Sequence, residues 1–152
     1  MRTVTVSTAL YAPAEVVWRA VTTPAAFNHV AGLMLRYPAA ARLTEPWRAG
    51  QQIRGWTFLF GVLPFSLHHL RVASVNHERR ALVSEEHGGL VRRWHHEIVL
   101  DPLDDRRTGY TDRIEIDAGP ATPIVVGFAH LFYRYRQRRW RALAPLLASA
   151  AG

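Results

Sequence analysis

The sequence has 152 residues and contains no cysteine and no lysine. The first absence removes disulfides, thiolate metal ligands and thiol nucleophiles, leaving His, Asp, Glu, Tyr, Ser and Arg for any chemistry. The second makes every one of the 19 basic residues an arginine. With Ala the commonest residue, that bias points to a GC-rich coding sequence, so part of the formal charge of +7 reflects composition rather than a binding site. A long apolar run is missing too. The most apolar stretch, 124–133, is interrupted by Gly127 and His130 and runs into arginines, too short to span a bilayer. The N-terminus alternates polar and apolar residues from Thr3 to Thr8 and lacks the apolar core of a secretory signal, which predicts a cytoplasmic protein. No internal repeat, low-complexity linker or composition shift divides the chain, and residues 1–152 are expected to form one domain, large enough to bury about two thirds of its unfolded surface.

What is present reads as strand, two short helices, six strands and a long helix. Residues 3–11 alternate as a strand does. Pro13 stands where a helix begins, with Glu15 in its first turn, and that helix stops near Thr23-Pro24. A second covers Ala25 to Ala31, with Gly32 as its C-cap. Gly, Pro, Asn and Asp clusters then punctuate apolar runs at meander spacing, predicting strands near 40–46, 51–60, 64–76, 80–87, 91–101 and 107–117. After Gly119-Pro120 the period becomes helical through Ile124, Phe128, Phe132, Tyr135, Trp140 and Leu143, to about Ser149. Such a helix is about 40 Å long, enough to cross a small sheet. The expected fold is α+β: a curved antiparallel sheet of seven strands wrapped around the long C-terminal helix, with an apolar gap left between them.

The hairpin from Val91 to Ile116 is the most informative segment. One parity carries Trp94, His96, Ile98 and Leu100, then Tyr110, Asp112, Ile114 and Ile116; the other carries Arg93, His95, Glu97, Thr111, Arg113 and Glu115. The first set faces the core and the second faces water. With the turn between 101 and 106, Trp94 is expected opposite Ile114 and His96 opposite Asp112. A buried Asp112 needs a partner, and His96 or Arg136 on the long helix would supply it.

These segments resemble the START-like (SRPBCC) superfamily of helix-grip proteins, which includes relatives of the major birch pollen allergen, polyketide cyclases and coenzyme Q-binding proteins. The resemblance runs through Ala12-Pro13-Ala14-Glu15-Val16-Val17-Trp18 after the first strand, Thr23-Pro24-Ala25-Ala26-Phe27, and Trp47-Arg48-Ala49-Gly50. It continues in Arg93-Trp94-His95-His96, Thr111-Asp112-Arg113-Ile114 and Phe132-Tyr133-Arg134-Tyr135-Arg136, which are similar to the polyketide cyclase/dehydrase-like branch. The resemblance implies an internal cavity that binds a lipid, polyketide, quinone or similar apolar molecule.

The expected lining is Trp56, Phe58, Trp94, His96, Tyr110, Asp112, Phe128 and Phe132, with Arg136 anchoring either Asp112 or an acidic ligand group. No cofactor is expected. A metal site could only be assembled from His69, His96 and Asp112, because adjacent histidines such as His68-His69 and His95-His96 point to opposite faces of a strand and no metal-binding spacing is present. An enzymatic alternative uses His96 and Asp112 as acid and base in a cyclase or dehydratase. A third reading assigns Arg134, Arg138 and Arg141, within the run that also holds Arg136, Arg139 and Trp140, to RNA or anionic membrane; a solvated helix face is the simpler account of that run. The segment from Trp56 to Phe65 is apolar at almost every position around a hairpin tip, as a lid at a cavity mouth or a contact surface would be.

Overall fold

A computed structural model describes residues 1–152. Strand β1 (Arg2–Leu10) leads into helices α1 (Ala14–Val21) and α2 (Pro24–Ala31). A two-residue strand β2 (Leu35–Arg36) and a single helical turn α3 (Pro38–Ala41) follow. The meander β3 (Gln52–Leu59), β4 (Leu63–Asn76), β5 (Ala81–Gly88), β6 (Val91–Pro102) and β7 (Thr108–Asp117) then feeds through a 3₁₀ turn at Gly119–Ala121 into α4 (Thr122–Ala151). All pairings are antiparallel, in the order β1-β7-β6-β5-β4-β3-β2. The seven strands curl around α4, which is the helix-grip arrangement. No helix is long and apolar enough to cross a membrane.

Local chemistry accounts for the helix boundaries. Pro13 caps α1 and Pro24 occupies its first position in α2, where a missing N–H costs nothing, while Thr23 Oγ1 accepts from the Ala26 amide. Gly32 ends α2 with φ 56° and ψ −137°, a conformation that a side chain strains. The strand expected over 40–46 does not form. Pro38 followed by three alanines starts a helical turn instead, and the strand that pairs with Leu59 and Phe58 is the short Leu35–Arg36.

Hairpin parity is as expected: Trp94, His96, Ile98, Leu100, Tyr110, Asp112, Ile114 and Ile116 are all buried. The register differs by two residues, with Trp94 opposite Ile116, His96 opposite Ile114 and Ile98 opposite Asp112. The turn closes further along than anticipated. Leu103 N–H donates to the Arg107 carbonyl at 3.0 Å, and Asp104 Oδ1 accepts the backbone amides of Arg106 and Arg107, each at 2.8 Å. A shift of two leaves every side chain on its face.

The two halves of α4 pack differently. Trp140 and Ala144 join Leu10, Trp18, Val17, Leu100 and Tyr110 in the larger core cluster, with the Trp140 and Tyr110 rings 5.5 Å apart. Ala129, Phe132 and Tyr133 pack with Val4, Trp94, Ile114 and Ile116, but beyond them the helix stands away from strands β3 to β5.

Replacing Gly32 with Ala tests the α2 terminus. Its Cβ would meet the Tyr135 hydroxyl and come within 2.9 Å of Arg139 Nε, at a positive φ. A loss of about 1–3 kcal/mol in urea unfolding is expected.

Candidate functional site

Between α4 and strands β3 to β6 lies a cavity of about 420 Å³, within the size range of small-molecule sites, about 300–1,000 Å³. Its apolar part comes from α4 (Val125, Phe128, Phe132), from α2 and the following segment (Phe27, Ala31, Leu35), and from Val91 and Trp94 on β6. Exposed Ile124, Leu90 and Phe65 rim its mouth. The tip of the β3–β4 hairpin borders that mouth: Phe65 lies against Phe128, with centroids 6.0 Å apart, and Phe60, Val62 and Leu63 are exposed.

A polar group lines the inner wall. Glu86 Oε2 pairs with His68 Nε2 at 2.7 Å, and Glu86 Oε1 accepts from Ser84 Oγ at 2.6 Å. Burial pushes the Glu86 carboxyl up, but the His68 hydrogen bond and charge, the His96 charge and the Ser84 hydroxyl together hold it below its ordinary range. Tyr37 donates to the carbonyls of Ile53 and His68 at 3.2 and 3.0 Å. Tyr133 accepts from Trp94 Nε1 at 3.1 Å. Burial, reinforced by the nearby Glu86 carboxylate, raises both hydroxyls well above the usual tyrosine value, so both remain protonated donors. Arg136 completes the wall at 3% exposure and has its guanidinium over the Phe27, Phe132 and Tyr133 rings, at 5.9, 5.8 and 5.2 Å.

Of the nine residues expected at the site, Trp94, His96, Phe128, Phe132 and Arg136 line the cavity. Tyr110 and Asp112 lie one layer behind it, both 0% exposed. Asp112 Oδ1 accepts from Tyr110 Oη at 3.3 Å and pairs with His96 Nε2 at 2.8 Å. Asp112 Oδ2 accepts from Gln137 Nε2 at 3.0 Å, so Gln137, rather than Arg136, is the helix residue that serves this carboxylate. Trp56 and Phe58 leave the list. Ile53 and Thr57 carry the inward parity of β3, which turns Trp56 outward to 53% exposure and leaves Phe58 outside the lining. His69 occupies the outer face of β4 and stacks on His87 at 4.5 Å, away from His96 and Asp112, so those three residues do not converge on a metal.

The arginines of α4 likewise separate. Arg134, Arg138 and Arg141 meet His130 in a polar groove beside Thr5 and Ser7 of β1. Arg139 donates to the His29 carbonyl at 2.7 Å, and Arg136 points inward.

The model of a family described as Domain of unknown function (DUF8410) matches residues 8–143. The chain belongs to this family. No functionally curated protein matches it by sequence. Among solved structures, a protein from Chromobacterium violaceum superposes with TM-score 0.71 at 17% identity, covering 93% of this chain and 96% of its own. A START superfamily protein from Mycobacterium smegmatis gives 0.69 at 14% identity, with 95% and 98% covered. Norcoclaurine synthase from Thalictrum flavum, solved in complex with dopamine and hydroxybenzaldehyde, gives 0.64 at 14% identity, with 93% and 85% covered. The fold of this family member is therefore the START-like, or SRPBCC, helix grip.

Sequence reasoning missed His68, Glu86, Tyr37, Tyr133 and Gln137. The inward parity of β5 through Leu82, Ser84 and Glu86 was a usable signal for Glu86. For His68 the flanking apolar residues on both parities concealed the face.

A carboxyl held below its usual range in the folded chain contributes stability above its unfolded value, about 4.3, and that contribution is lost as pH falls through the lower folded value. Glu86→Gln is expected to lower stability at pH 7 by about 1–3 kcal/mol. The gap to the parent protein should narrow below about pH 4, read as urea midpoints across pH.

Proposed function

We propose that residues 1–152 act as one ligand-binding domain that takes an apolar small molecule, a lipid, polyketide, quinone or similar compound, into the cavity between the sheet and α4, in the cytoplasm and without a defined reaction. The cavity itself carries this reading. Elsewhere the sheet and helix are packed, yet the first half of α4 leaves a hollow of about 420 Å³ that is apolar on most sides and opens between exposed Ile124, Leu90 and Phe65. Such a shape removes most of a small ligand from water, and the fixed polar wall restricts its orientation. The likeness to a START superfamily protein and to a synthase solved with two aromatic compounds supports the same reading.

One observation favours a second reading, a cyclase or dehydratase. The His96 ring reaches the cavity wall with Asp112 behind it on Nε2, and Nδ1 makes no hydrogen bond within the chain. An oriented imidazole of this kind can move protons. Contact with RNA or an anionic membrane through Arg134, Arg138 and Arg141 is a separate proposal, supported by their convergence with His130 on one groove.

Native mass spectrometry of the protein from its own host, compared with the denatured mass, tests the main reading. An adduct on the order of a few hundred daltons is expected. Val125→Trp, which fills the lining, should abolish the adduct while leaving the circular dichroism spectrum unchanged. An empty parent protein, or an adduct that survives Val125→Trp, would contradict a ligand in this cavity.

A further inference from the structure

Arg136 is the buried charged group of the cavity wall that makes no hydrogen bond at all within the chain. It is 3% exposed, it forms no hydrogen bond or ion pair with any residue, and its Nε is buried without a partner. An arginine remains charged and carries five N–H donors in one plane. Burying such an ion unpaired is costly, and buried arginines are ordinarily paired. The aromatic rings of Phe27, Phe132 and Tyr133 attract the guanidinium from positions over their faces. They accept none of its N–H groups through lone pairs.

Both acidic side chains near it are already engaged. Glu86 has one oxygen on His68 and the other on Ser84. Asp112 has Oδ1 on His96 and Tyr110, and Oδ2 on Gln137. Beside the guanidinium, the Tyr133 hydroxyl accepts from Trp94, and its own proton has no acceptor in the chain. The inner wall therefore presents a cation and a hydroxyl donor that lack acceptors, and the rest of the lining is mostly apolar.

We propose that the cavity's ligand is an apolar carboxylic acid and that Arg136 binds its carboxylate. This rests on the reading of the cavity as a ligand site and adds the charge and head group of the occupant. The planar fork of a guanidinium matches the two oxygens of a carboxylate. A phosphate monoester fits less well: it brings nearly two negative charges to a wall with one unpaired cation and the Glu86 carboxylate facing the same space. Burial sharpens the selection, because desolvating a carboxylate is offset where a charged partner waits and a neutral head group leaves that partner unpaired.

Matched probes decide it: dodecanoic acid against 1-dodecanol, and 1-naphthylacetic acid against 2-(1-naphthyl)ethanol, titrated into the full-length protein by calorimetry at pH 7.5. At least one acid is expected to bind tenfold or more tightly than its alcohol. Arg136→Gln should bring acid and alcohol to the same affinity, and Arg136→Lys, which keeps the charge and loses the fork, should leave a reduced preference. If Arg136→Gln fails to fold by circular dichroism, the parent comparison and the Lys variant still decide. Equal affinities in the parent protein, or a preference for acid that survives Arg136→Gln, would overturn the carboxylate proposal and leave the apolar cavity standing. Binding of neither probe pair would remove both.

Discussion

Asp112 sits at the point where the sheet and the long helix are tied together. Its carboxylate, fully buried on β7, is held by His96 from β6, by Tyr110 from its own strand and by Gln137 from α4. Gln137 spends its second N–H on the Val6 carbonyl of β1 at 2.7 Å, so one side-chain pair joins α4 to both strands at that side of the sheet. A buried carboxylate tolerates this position only because each oxygen has partners, and the same requirement holds the helix at one height and rotation over the sheet. On the C-terminal side of that tie, α4 descends into the core around Trp140 and Ala144. On the N-terminal side it is propped away from β3 to β5, and the cavity occupies the difference.

The cavity thereby acquires two unlike ends. Its mouth is made of side chains that water does not favour, Ile124, Leu90 and Phe65, while its inner wall carries His68, Glu86, His96 and Arg136. Among buried groups walled mostly by apolar side chains, each paired one is firmly oriented and any unpaired one is expensive. The His–carboxylate pairs meet that condition within the chain. Arg136, one residue before the glutamine that makes the tie, does not, because consecutive helical residues point about 100° apart and only one of the two can face Asp112.

Much of this architecture could be read from periodicity. The change from alternation to helical spacing after Gly119-Pro120 located α4, and hairpin parity selected eight inward residues of β6 and β7, from Trp94 to Ile116, leaving out buried Thr108 and the cavity-lining Val91. Parity survives an error of two in register, which is why His96 and Asp112 are in contact although their expected pairing was displaced. Short segments were harder. At 38–46 local helix propensity and a proline outweighed an apolar appearance. On β3 the aromatic Trp56 and Phe58 suggested the inner face, whereas Ile53, Gly55 and Thr57 occupy it; Gly55 is required there because an added Cβ would come within 2.8 Å of the Ala39 side chain.

By itself, the sequence determined the element types outside the short segments between 35 and 46, the one long amphipathic helix, the faces of the central hairpin and the presence of ionisable groups among apolar ones. These depend on local spacing, which a linear chain records. Only the tertiary structure decided which of Arg136 and Gln137 meets Asp112, which carboxylates are already satisfied, and how far α4 stands from the sheet. Those outcomes depend on distances between elements that are remote in sequence, set by the tie at Asp112 and the packing of Trp140, and no local pattern encodes them.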